Sequence, residues 1–306
     1  MEQKSLFSER EHGHFKELNV VKSWLNLVIL IALLFTAIPV EAKGKEVYIA
    51  IGDSLAAGQT PNQAIDAGYT DLIAQELQRA GRLSYFSKAL SFPGYTTSQV
   101  LESIQTEEAA ELLKNATVVT VSAGANDLLR LVQVKSGTVS YQQIPADFAL
   151  NGVRKNLEKI IHDLKELAPK ADIYIMGYYD AYPHVSEKQK VGLKEELSVL
   201  HQILRNQAEK AGAKYVPVEE TFNGKEKELV PNVSDVHPSM EGYRIMANTF
   251  FTQYDSRLSV VKTELPEPNP LTFEEIIQAG QRSTEGGVTR SPMNGYLSLT
   301  ELKAYT

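Results

Sequence analysis

A serine that follows directly on a buried apolar run is the first place in this chain where chemistry could be done. Val47 to Ile51 (VYIAI) leads into Gly52-Asp53-Ser54-Leu55. The serine therefore stands at the exit of a strand, near the start of a helix or turn whose backbone N–H groups can stabilise an oxyanion. Alone, Gly-Asp-Ser reads as an ordinary Asp-Ser turn. Three further positions change that balance. Gly94, in Phe92-Pro93-Gly94-Tyr95, follows a second apolar run and lets a backbone N–H approach a ligand. Gly124-Ala125-Asn126-Asp127 follows a third, so the Asn126 amide can project into the same crevice. Asp235-Val236-His237-Pro238 stands just before the last long amphipathic stretch. All four segments could converge on one spot. Two other glycine–serine motifs are excluded: Ala56 occupies the place of the second glycine of a G-x-S-x-G elbow, and no lysine follows Gly58 as a phosphate loop requires.

The elements that must position these residues alternate along the chain. Short apolar runs predict strands at Val47–Ile51, Leu83–Leu90, Thr117–Ser122, Ile173–Tyr178 and Lys214–Val218. Amphipathic stretches predict helices over Gly68–Ala80, Thr96–Glu111, Asp147–Leu167, Glu187–Ala211 and Pro238–Tyr254, with Thr96 and Gln99 as a capping box. Strands separated by helices indicate a parallel sheet covered on both faces, and functional residues in such sheets gather at the carboxyl ends of the strands.

The order and spacing of the four segments resemble the SGNH hydrolase family, the GDSL esterases and lipases. The blocks stand here as Gly-Asp-Ser-Leu around Ser54, the glycine Gly94, Gly-Ala-Asn-Asp around Asn126, and the His-Pro…Gly-Tyr segment from His237 to Tyr243. The similarity spans roughly 45–254. It implies a flavodoxin-like three-layer α/β/α sandwich with a five-stranded parallel sheet, and hydrolysis of carboxylic esters with lipids as one substrate class and O-acetylated polysaccharide as another. Carried over position by position, it makes Ser54 the nucleophile and His237 the general base, with the N–H groups of Ser54 and Gly94 and the amide of Asn126 as oxyanion donors. One departure stands out. The family's usual acid lies three residues before the histidine, where this chain has Ser234; the carboxylate, Asp235, lies two before. Residues i and i+2 of an extended segment face the same side, so Asp235 is expected to reach the imidazole. The alternative is a Ser–His dyad whose ring is held by a backbone carbonyl.

Composition narrows the partners. The 306 residues carry a formal net charge of −7 and a pI near 5.5, which offers no basic patch for nucleic acid. With no cysteine, the chain has no disulfides, thiolate metal sites, cysteine nucleophile or lipidated cysteine. No His/Asp/Glu group shows metal-ligand spacing of the H-E-x-x-H kind, so neither a metal nor a cofactor is expected. Of six histidines, His12 and His14 precede the apolar segment, while His162 and His201 lie inside helical stretches. His184 and Tyr182 follow the fourth strand beside the aromatic and acidic rim Tyr178, Tyr179, Asp180 and Tyr182, and two readings stand for these residues: they line the pocket, or they simply pack. Asp53 and Asp127 are expected to brace their loops.

Three regions follow from these patterns. Residues 1–42 form a signal peptide or an uncleaved membrane anchor: Trp24 to Val40 is almost entirely apolar, and Val40-Glu41-Ala42 offers small residues for cleavage. Either alternative places the body outside the cytoplasm; a buried core helix is the third reading. Residues 43–258 form the hydrolase domain. Residues 259–306 form a linker with Pro266, Pro268 and Pro270, a short helix over Phe273–Ala279 and a tail without period.

Overall fold

The computed structural model describes residues 44–61, 64–135 and 138–267. The apolar N-terminal segment, its cleavage site and the Phe273–Ala279 helix lie outside them. The five expected strands are all present: β1 (Glu46–Gly52), β2 (Leu83–Ser91), β3 (Val118–Ser122), β4 (Asp172–Met176) and β5 (Lys214–Val216). They pair in parallel in the order β2-β1-β3-β4-β5. This is the flavodoxin-like order, with β1 and β3 at the switch point where a ligand crevice opens. Ser54 leaves β1 and Asn126 leaves β3, so the topology alone sets them side by side.

The central strands are apolar on both faces because helices cover both. Ile49, Ala50, Ile51, Val119 and Val121 are fully buried. Polar groups inside the sheet are paired, as the Tyr48 hydroxyl is with Thr120 Oγ1 at 2.8 Å. The helices are α1 (Ser54–Ala57), α2 (Tyr69–Arg79), α3 (Thr97–Ser103), α4 (Glu107–Leu113), α5 (Ala125–Leu129), α6 (Gln143–Leu167), α7 (Leu193–Lys210), α8 (Val218–Phe222), α9 (Glu226–Leu229) and α10 (Met240–Tyr254). One group joins α2, α8 and α10; the other joins α3, α5, α6 and α7. On α6, Val153, Leu157, Ile160, Ile161 and Leu164 form the buried stripe that its spacing predicts.

Several boundaries differ from the sequence expectation, each for a local reason. The helix expected over Thr96–Glu111 is two helices. Thr106 interrupts it, its hydroxyl accepting the Ala109 N–H at 3.1 Å and capping α4 afresh. The helix expected from Glu187 begins instead with a 3-10 turn (Glu187–Gln189) and a short strand (Lys190–Val191). Gly192 then takes φ +77 before α7 starts. That left-handed turn favours glycine and separates the two pieces. Helix α6 starts four residues early, because Pro145 falls in its first turn where no N–H is needed. Helix α10 starts at Met240, capped by Ser239. Gln133–Lys135, Thr138–Ser140 and Lys190–Val191 form a second, three-stranded sheet. Beyond residue 258 the chain still packs on the body. Val260 is buried, and its backbone is held by the Asn248 side chain at both N–H (2.8 Å) and carbonyl (3.0 Å).

Candidate active site

Ser54 is the first residue of α1, in a turn with little freedom. Gly52, with φ +144, lies so close to β3 that a Cβ there would sit 2.1 Å from the Ser122 carbonyl oxygen, so only glycine fits. The next residue, Asp53, donates its N–H to that same carbonyl at 3.0 Å. Its carboxylate caps α1 through the Leu55 N–H at 3.0 Å. As the first helical residue, Ser54 has no intrahelical acceptor for its own N–H.

His237 reaches this turn from the far end of the fold. Its Nε2 lies 2.8 Å from Ser54 Oγ, and its Nδ1 lies 2.6 Å from Asp235 Oδ1. All three side chains are close to buried, the His237 and Asp235 side chains being 12% and 13% exposed. Burial pushes the Asp235 carboxyl up, but the ring and backbone N–H groups of His237 outweigh it and hold the carboxyl below its ordinary value. Asp235 is therefore ionised at neutral pH. The Tyr179 hydroxyl steadies the segment from the other side by donating to the Val236 carbonyl at 3.0 Å.

Asn126 sits on α5 and uses one amide hydrogen on the Tyr95 carbonyl, at 2.9 Å. An amide has two, so the second remains for a ligand. That bond also ties Asn126 to the turn containing Gly94, which takes φ +80 and whose carbonyl accepts from Arg130 at 2.8 Å. The Phe92 N–H donates to the Gly52 carbonyl at 3.0 Å, fixing the Gly94 turn to the strand end that carries Ser54. Asp127 braces as expected, bonding the Thr97 N–H at 2.9 Å and hydroxyl at 2.8 Å.

Ser54, Asn126 and His237 all line a cleft of about 870 Å³. Tyr182 lines it too. His184 does not: its Nε2 meets the Val230 carbonyl at 2.8 Å, a structural tie between two loops. Tyr178, grouped with the rim by its position, turns inward and donates to Asp53 Oδ2 at 2.7 Å. The cleft walls come partly from the amphipathic stretch over Glu187–Ala211 and partly from loops that no motif marked. Leu197 and Leu200 of α7 and Tyr141 give apolar surface; Lys190, Glu196 and Lys225 give charge. Leu197 and Leu200 were marked by helical spacing as a packed face, and that spacing carries no sign that the face borders the cleft. Among the described residues, one group of possible metal donors occurs, His162, Asp163 and Glu166 on the exposed face of α6. Asp163 there is already paired with Lys159 at 2.8 Å.

The sequence profile of the GDSL-like Lipase/Acylhydrolase family matches residues 50–245, more than half of the chain. The chain belongs to this family. Among its relatives is the spore germination lipase LipC of Bacillus licheniformis, 24% identical over 217 residues, which cover 65% of this chain and 92% of that protein. Two solved structures share the fold. The lipase Lip_vut3 from a goat rumen metagenome is 20% identical with a TM-score of 0.54, covering 67% of this chain and 95% of its own. The acetylxylan esterase Axe2 of Geobacillus stearothermophilus is 20% identical with a TM-score of 0.51, covering 69% and 95%.

Proposed function

We propose that this protein hydrolyses carboxylic esters through an acyl-serine intermediate on Ser54, with His237 as general base and Asp235 as its orienting acid. The observation that carries the proposal is the unbroken line Asp235–His237–Ser54, at 2.6 and 2.8 Å. Ser54 Oγ attacks the ester carbonyl carbon while His237 Nε2 takes its proton, and the carbonyl oxygen becomes an oxyanion. That oxyanion meets the N–H groups of Ser54 and Gly94 and the free amide hydrogen of Asn126, each donor being worth about 2.7–4 kcal/mol. Collapse breaks the bond to the alcohol, which leaves with the proton from His237. Water, deprotonated by the same imidazole, then attacks the acyl carbon and frees Ser54. The Asp235 carboxylate stabilises the imidazolium that forms in each half-reaction.

Membership of a family of lipases and acylhydrolases supports the reaction class. The charged wall of the cleft, with Lys190, Glu196 and Lys225, favours a second reading of the substrate, an O-acetyl ester of a polyhydroxylated alcohol such as a polysaccharide. Rates over p-nitrophenyl esters of increasing chain length, measured beside Ser54→Ala, test both. Loss of hydrolysis in the variant supports Ser54, and substantial rate left in it overturns the assignment. A steep fall beyond acetyl favours the acetylesterase, and a maximum at longer chains favours a lipase. We also propose that the enzyme works outside the cytoplasm, supported by the apolar run before Lys43.

A further inference from the structure

One buried carboxylate lies beside Ser54 and has no part in the proton transfers above. Asp53 is 1% exposed. Its Oδ1 accepts the Leu55 N–H at 3.0 Å and the Ser122 hydroxyl at 2.9 Å, and its Oδ2 accepts the Tyr178 hydroxyl at 2.7 Å. Three donors from three segments meet on the residue that precedes the nucleophile. Tyr178 is itself buried, at the exit of the fourth strand. Its phenol directs its own proton to Asp53. Asp53 thus joins the turn that carries Ser54 to Ser122 at the end of β3, from which the chain runs directly on to Asn126.

We propose that Tyr178, acting through an ionised Asp53, is a positioning residue that locks Ser54 and Asn126 into one geometry in the active enzyme. The proposal rests on the roles given above to Ser54, His237 and Asn126. Its chemistry follows from the donor count. A proton on Asp53 Oδ2 would face the Tyr178 proton, so the phenol has to turn away from the bond it now makes. Protonation of Asp53 therefore releases Tyr178 and loosens the link. The groups that face Asp53 are the phenols of Tyr69, Tyr178, Tyr179 and Tyr243 and the imidazole of His237. Burial pushes all four phenols up, so they stay neutral through the working range. Burial also pushes the Asp53 carboxyl up, against the pull of Tyr178, Ser122 and Leu55. The link is accordingly made at higher pH and lost as pH falls.

The test is the pH dependence of kcat and KM for p-nitrophenyl acetate in full-length protein, for the wild type, Tyr178→Phe, Ser122→Ala and Asp53→Asn. Removing one donor raises the carboxyl further. Tyr178→Phe and Ser122→Ala should each move the acid limb of kcat up by about one pH unit, with kcat down about tenfold and KM within about twofold. Asp53→Asn removes the ionisation, so its acid limb should become shallower. A lower kcat with an unmoved limb would mean an ordinary structural brace and overturn the proposal, as would a wild-type kcat in Tyr178→Phe. If Tyr178→Phe fails to fold, Ser122→Ala carries the same comparison. A carbon-13 titration of the Asp53 carboxyl reads the link without turnover, and an identical titration in wild type and variants sinks it whatever the activity. Absence of hydrolysis in the wild type, or hydrolysis that survives Ser54→Ala, overturns the roles of the reacting residues instead.

Discussion

Asp235 Oδ1 accepts two bonds from His237, one from the ring Nδ1 at 2.6 Å and one from the backbone N–H at 2.8 Å. The acid and the imidazole it orients thus close a turn of their own, which a spacing of two residues permits. Ser234, where the family's acid usually stands, is exposed; its N–H is held by Asn232 Oδ1 at 2.9 Å. Asp235→Asn should leave KM nearly unchanged and lower kcat steeply, because the amide can hold the wrong imidazole tautomer; the same change in a serine protease costs about 10⁴-fold. Ser234→Asp added to that variant should restore little, since its carboxylate would face solvent. Steady-state rates of the single and double variants decide the matter, and a loss of only a few-fold in Asp235→Asn would remove Asp235 from the mechanism.

Much of this site could be read from the chain because it is built at strand ends. Ser54, Asn126 and the Gly94 turn each follow an apolar run by a few residues, so the parallel-sheet rule places them together without coordinates. His237 lies far from them in sequence, and its motif together with its loop position before the last long helix pointed to it. The strands were legible because two-sided burial leaves them continuously apolar. The second sheet was not: strands of two and three residues carry no measurable period. The inward turn of Tyr178 also escaped, since alternation at the end of a strand gives no sign of which tyrosine meets a buried carboxylate. His184 was open to either reading, a loop histidine beside the right strand, and it serves a backbone carbonyl.

The body of the fold should lose stability in acid partly through Asp255, which closes α10. Bonds from Arg257 and then from Arg82 hold its carboxyl well below the usual carboxylate range. A carboxyl lowered by folding contributes stability above its unfolded value of about 3.9 and loses that contribution as pH falls through the folded value. Arg82 lies 2.7 Å from Asp255 and stacks over Tyr254, so the pair fastens the start of β2 to the end of α10. Urea melts of wild type and Asp255→Asn should differ most at neutral pH and converge below about pH 4. A gap that is constant with pH would assign the effect to packing rather than to charge.

The N-terminal region makes a separate prediction. If Val40-Glu41-Ala42 is a cleavage site, secreted protein begins at Lys43 when sequenced from its N-terminus. Recovery of the uncleaved chain solely from membranes would favour an anchor.

Asn126 offers the sharpest test of the oxyanion assignment, because its two amide hydrogens have different tasks. One holds the Tyr95 carbonyl in the resting protein, and the other is left for the substrate oxygen once it carries charge. Asn126→Ala removes both. It should lower kcat by about 10²–10³ while KM changes little, since the lost bond strengthens only as the oxyanion develops. Asn126→Asp separates the two effects. It keeps the shape but replaces donors with a carboxylate that repels both the Tyr95 carbonyl and an oxyanion, so it should be at least as inactive as the alanine variant. If the amide served only to fix the Gly94 turn, Asn126→Ala would instead lower thermal stability and raise KM with a modest change in kcat. Steady-state kinetics and a melting curve on the two variants separate these outcomes. A near-wild-type kcat in Asn126→Ala would remove the side chain from the oxyanion hole and leave the backbone N–H groups of Ser54 and Gly94 to carry the charge.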